Sequence, residues 1–172
     1  YLEHYNGEEF LQKVFKTYLN QPNHTLSFIQ LLKKYSPNDI DWFEDFYLRE
    51  RTPIDLRIHK IKKRKDSIAF NISRYSDNEI PFVLAQVKND SIISQQWMEE
   101  IGSSARIKLK NLKPDYIVIN PEIRLPESNK VNNWRYTQNI FNLKPIHFNF
   151  LKDYQSPRRN QVFYNPVFNY NL

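Results

Sequence analysis

At Pro53 the sequence changes period. On its N-terminal side, within DIDWFEDFYLRERTPIDLRI (Asp39 to Ile58), Ile40, Trp42, Phe43, Phe46 and Tyr47 fall at i, i+2, i+3, i+6 and i+7, one broad face of a helix. On its C-terminal side Ile54, Leu56 and Ile58 alternate with Asp55, Arg57 and His59, the pattern of a half-buried strand. Proline lacks an amide hydrogen and disfavours helical geometry in Thr52 before it, so a helix stops here. A chain with such a seam folds as a helical segment followed by a β segment.

The helical segment takes up residues 1–52. Between Glu8 and Leu19, Phe10, Leu11, Val14, Phe15, Tyr18 and Leu19 share one side, and Glu9, Gln12, Lys13 and Lys16 lie largely on the other. Asn20, Pro22 and Asn23 break this helix. Thr25 then reads as the N-cap of a second helix carrying Leu26, Phe28, Ile29, Leu32 and Tyr35. Ser36-Pro37-Asn38-Asp39 reads as the start of a third, with Ser36 as cap and Pro37 as first helical residue. The aromatic face of Trp42, Phe43, Phe46 and Tyr47 is read as core rather than as a ligand platform.

The β segment takes up residues 53–133. Alternation or short apolar runs mark strands at Ile54–Ile58, Ile68–Ile72, Phe82–Val87, Ile92–Trp97, Ile107–Leu109 and Tyr116–Ile119. Turn residues separate them: Asp66-Ser67, Ser76-Asp77-Asn78, Asn89-Asp90, Gly102-Ser103-Ser104 and Lys113-Pro114-Asp115. No helix-length amphipathic stretch intervenes, which argues against a parallel sheet. The expected fold class is α+β by segments: a short N-terminal helical region, an antiparallel immunoglobulin-like β-sandwich, and an extended tail. In the tail, residues 134–172, Phe148-Phe150 and Phe168-Tyr170-Leu172 alternate with asparagines. An extended segment docked on another surface, or the opening of further β structure, fits this pattern.

Chemistry is sparse. With no cysteine there are no disulfides, thiolate zinc sites or cysteine nucleophiles. The two glycines are too far apart for a phosphate-binding loop, and there is no HExxH and no GxSxG. His4, His24, His59 and His147 stand alone. Glu99 and Glu100 are neighbours that a strand would point to opposite faces, and Glu122 and Glu127 lie in loops without a recognisable partner. No catalytic residue, metal ligand or cofactor is expected within the chain. One binding candidate remains: the basic run Lys60, Lys62, Lys63, Arg64 and Lys65, read as a hairpin tip that grips anions or, more plainly, a solvated loop that protects a sheet edge. The formal charge of +6 permits a nucleic-acid or envelope-binding β module as an alternative function, although nucleic acid is not the expected partner. No stretch approaches the length of a membrane helix.

The order of WFEDFYLRERTPID and the alternating strands after it resembles the end of the catalytic domain and the start of the β-sandwich in the aminopeptidase N family of zinc peptidases. FLQKVFKTYLNQ and SFIQLLKKY resemble that family's helices before the seam, and VINPEIRLPESNKVNN is similar to its sandwich exit. The resemblance covers about residues 8 to 133. It implies an accessory segment, itself non-catalytic, that braces the catalytic domain of an exported or cell-envelope parent. The zinc ligands and catalytic glutamate of such a parent would lie upstream, and none of them maps onto this chain. The partners implied are the rest of the parent chain and other envelope proteins, with any membrane association made through a downstream region.

Overall fold

The computed structural model describes residues 1–45, 53–75, 79–99, 101–137, 146–150 and 160–164. Short helices come first and antiparallel sheets follow, an α+β arrangement by segments. Contacts divide the chain into two units between Pro53 and Ile54, with Glu79 and Ile80 grouping with the helical unit.

The helical unit holds α1 (Leu2–Asn6), α2 (Phe10–Leu19), α3 (Phe28–Tyr35) and the single turn α4 (Asp41–Phe43). Helices α2 and α3 pack together and bury Phe10 and Val14 on one and Leu31 and Leu32 on the other; Leu31 lies outside the stripe that the helical period marks, and Phe15 and Leu19, which lie in it, are exposed. Helix α1, five residues long, is too short to show a period in the sequence.

Two details of this unit differ from the sequence reading. The cap of α3 is Ser27, not Thr25. Pro22–His24 forms a 3-10 turn and leaves Thr25 at φ −61°, ψ −30°, whereas an N-cap needs the extended geometry that Ser27 has at φ −66°, ψ 159°. Ser27 and Gln30 then form a reciprocal capping box. Ser36 does not open a third helix either. Its N–H closes α3 on Leu32 O at 2.9 Å, and its hydroxyl donates to Asn38 O at 2.7 Å. Asn38 Nδ2 donates to Tyr5 O at 2.8 Å, so this link is tied to α1 and α4 begins only at Asp41. The ring of Trp42 stands edge-on to Tyr1 and Tyr5, at 5.6 and 6.0 Å between centroids. Phe46 and Tyr47 lie outside the described residues.

The sheet unit holds β1 (Leu56–Lys63), β2 (Ser67–Arg74), β3 (Phe82–Lys88), β4 (Ser91–Met98), β5 (Ser104–Lys110), β6 (Tyr116–Ile119) and β7 (Trp134–Tyr136). They form a three-stranded sheet of order β1-β2-β5 and a four-stranded sheet of order β4-β3-β6-β7, antiparallel throughout. Strand β1 also runs beside β6 and β7 without pairing to them. The expected strands are all present, except that Ile54 makes only an isolated bridge to Glu127. The sequence reading ended the sheet region at residue 133, and β7 carries it to Tyr136 by pairing with β6. Asn89 and Asp90, at φ 50° and 58°, form the two-residue loop of the β3–β4 hairpin, a turn that needs positive φ at both positions.

Burial follows the sequence pattern in β2, β3 and β6, whereas β4 buries no residue and leaves Ile92 and Ile93 exposed. In β2, Ile68, Phe70 and Ile72 are buried and the residues between them are half-exposed. Strands β3 and β6, the near-continuous apolar runs, are buried on both faces. A third sheet pairs β8 (Ile146–Phe150) with β9 (Asn160–Tyr164) in parallel, so part of the expected extended tail is strand. Ile146, Phe148 and Phe150 alternate along β8 and are 63, 82 and 57% exposed. Phe168, Tyr170 and Leu172 lie outside the described residues.

Candidate functional site

The basic run Lys60–Lys65 does not all sit at a hairpin tip. Lys60, Lys62 and Lys63 belong to β1, and the tip is Arg64-Lys65-Asp66. At Lys60, φ 55°, the strand bulges: His59 faces Asn71 but Lys62 faces Ala69, so two residues oppose Phe70. The bulge shifts the alternation by one. Before it the even positions Leu56 and Ile58 point inward; after it Lys62 points outward, and Lys63 lies at the exposed end of the inward row opposite Ile68. Asn111 pins the tip, donating from Nδ2 to Arg64 O at 2.8 Å and to Lys65 O at 3.2 Å.

The register of the three strands extends this basic feature well beyond the run. On the outward face, Arg57 of β1 lies beside Ser73 of β2 and Ser104 of β5. His59 lies beside Asn71 and Arg106, and Lys62 beside Ala69 and Lys108. Ser67 then faces Lys110. Cations thus stand on both outer strands, with small or short polar side chains between them on the middle one. Arg57, Lys62, Arg106, Lys108 and Lys110 are all exposed. Among the described residues none of them is in an ion pair. At one corner a concavity of about 530 Å³ is lined by Arg64, Lys65, Asp66, Ser67, Lys108, Leu109 and Lys110.

The imidazole of His59 registers the excess of positive charge. Its pKa is lowered, first by burial and then by Lys60, Arg57 and Arg135. Its Nε2 is buried without a hydrogen-bond partner. Arg135, on β7, is lowered in turn by burial and by Arg57.

A second polar feature lies in the segment after β6. Asn120, at φ 52°, organises the turn: its Nδ2 donates to Leu125 O, and its Oδ1 accepts the N–H groups of Arg124 and Leu125. The chain then meets the start of β1. The N–H of Ser128 donates to Ile54 O at 2.8 Å, and Asn132 Nδ2 donates to Asp55 Oδ1 at 2.7 Å. Between these contacts Glu127 is buried at 8% exposure, with Asn133 at 2% beside it. Asn133 Nδ2 donates to Glu127 Oε2. Burial pushes the Glu127 carboxyl up to about 8; Asp55 adds to the rise, while the Asn133 bond and Lys130 oppose it. Glu127 Oε1 and Asn133 Oδ1 have no partner. A proton on Oε1 turns that acceptor into a donor, which is what a neutral carboxyl beside an amide oxygen supplies.

Among the described residues no group of three or more His, Asp or Glu side chains is placed to hold a metal ion. No helix among them is long and apolar enough to cross a membrane. No family model, no curated protein and no solved structure matches this chain.

Proposed function

We propose that this chain is a non-catalytic accessory segment of a larger peptidase-like protein of the cell envelope, bracing a catalytic domain encoded upstream. The observation that carries the reading is the order of the two units, a helical unit up to Pro53 and, from Ile54, a unit with two antiparallel sheets. That order is the one the resemblance to the aminopeptidase N family leads us to expect.

The finer form of the β unit is an immunoglobulin-like sandwich. Its strand order supports this: with β1 to β7 taken as successive strands of such a fold, β1-β2-β5 form one sheet and β3-β6-β7 the other, and β4 joins β3 at the edge. The exposed side chains of Ile146 and Phe148 on β8 support an accessory role, because neighbouring apolar side chains exposed on one strand make a surface that fits a partner. In this reading the rest of the parent chain covers it. Zinc, where the parent holds it, belongs to the upstream domain.

The test is the reading frame upstream of Tyr1. It should encode HExxH on a helical pattern with a further glutamate downstream, and the protein it encodes should bind zinc. An upstream frame without that pair of features contradicts the proposal.

A further inference from the structure

We infer that the outward face of the β1-β2-β5 sheet is a docking trough for an acidic polypeptide segment in extended conformation. Three observations together carry this, and they hold whatever the parent chain is. The first is charge. Arg57 and Lys62 stand on one wall and Arg106, Lys108 and Lys110 on the other; no outward position within the three strands carries a carboxylate, and Asp55, just before β1 in the same row, already accepts from Asn132. The only carboxylate lining the adjoining concavity is Asp66, at the hairpin tip.

The second is shape. The floor is Ser67, Ala69, Asn71 and Ser73, side chains too short to fill the space between the walls. The walls stand two strand spacings apart, about 9.5 Å, which admits one extended chain lying along β2. The third is repeat. The cations at 106, 108 and 110 recur every second residue, about 6.8 Å, the distance between alternate side chains of an extended peptide. A segment with Asp or Glu at alternate positions meets one wall in register, and the serine and asparagine groups of the floor can bond to its backbone.

Other anionic partners fit less well. The one aromatic ring at an outward position of the three strands is the half-buried His59, so single-stranded nucleic acid would find little of the stacking platform it uses. A double helix is too broad to lie between walls this close. A lipid surface would meet a twisted sheet with no apolar residue to insert.

The experiment is fluorescence anisotropy on the whole 172-residue chain with a labelled 12-residue peptide of alternating Glu and Ser. Parallel arms use a dT oligonucleotide of equal charge and vesicles with and without phosphatidylserine. The peptide should bind, and binding should weaken about tenfold or more between low and physiological salt. The triple substitution Arg106→Ser, Lys108→Ser, Lys110→Ser should abolish it, while Lys13→Ser with Lys16→Ser, on the helical unit, should not. Tighter binding of the oligonucleotide or the vesicles than of the peptide overturns the inference. So does retention of peptide binding by the triple variant. NMR shifts of the unmutated chain give an independent reading: on adding peptide they should move along residues 67–73 and 104–110, and shifts confined to other strands count against the trough.

Discussion

Asn133 donates its side-chain amide to Glu127 within a buried contact, and each residue keeps one oxygen that has no partner. A carboxyl held this way favours its neutral form. Folded Glu127 keeps its proton to about pH 8, whereas the unfolded side chain loses it near 4.5. Between those values the native state binds the extra proton, so stability falls as pH rises, by up to about 1.4 kcal/mol per unit from this group. Below that window and above it the contribution is level. Urea unfolding from pH 4.5 to 9 should show the fall, and Glu127→Gln, which carries no titrating proton, should flatten it.

The same contact separates Glu127→Gln from Glu127→Ala. Glutamine can give Asn133 both an acceptor and a donor and should match the wild type at low pH. Alanine leaves the amide of Asn133 buried and unpaired, a loss of about 1–3 kcal/mol. Equal midpoints for the two variants at pH 5 would show that the contact contributes nothing.

In the β3–β4 hairpin, Asn89 and Asp90 both sit at positive φ. Asn89→Val places a β-branched side chain in left-handed geometry and should cost about 1–2 kcal/mol. Asn89→Gly should be close to neutral. The midpoint of urea unfolding tells them apart, and a neutral valine variant would mean that the turn has another geometry.

At the start of α3 the capping box makes a paired prediction. Ser27→Ala should destabilise the helical unit by about 0.5–2 kcal/mol, while Thr25→Ala, whose exposed hydroxyl bonds to the Gln21 side chain and not to a helix N–H, should change little. Circular dichroism melts of the two variants check this. The reverse order would restore Thr25 as the cap.

Strand β2 was legible because one face of it buries and the other does not, so Ile68, Phe70 and Ile72 announce themselves. Which strand lies beside which was not. Lys62 and Lys108 are far apart in the chain, and only pairing with Ala69 between them places them in one row. The basic run was visible as a run, and its larger context was a matter of register. Trp134-Arg135-Tyr136 is too short to show a period, so β7 was missed. Glu127 looked like an ordinary loop carboxylate, because nothing local marks Asn133, six residues on, as its partner. The caps failed for a related reason: Thr25 and Ser27 both have suitable side chains, and backbone geometry set by the preceding 3-10 turn decides between them.

The proposed accessory role is tested most directly by removing this chain from the larger protein that the proposal calls for. The full-length product and a product lacking residues 1–172 should be purified together and compared by thermal melting and zinc content. The account predicts that the truncated product melts at markedly lower temperature or aggregates, and that residues 1–172 added in trans restore it. A truncated product that melts as the full-length protein does, with its metal in place, would contradict the account.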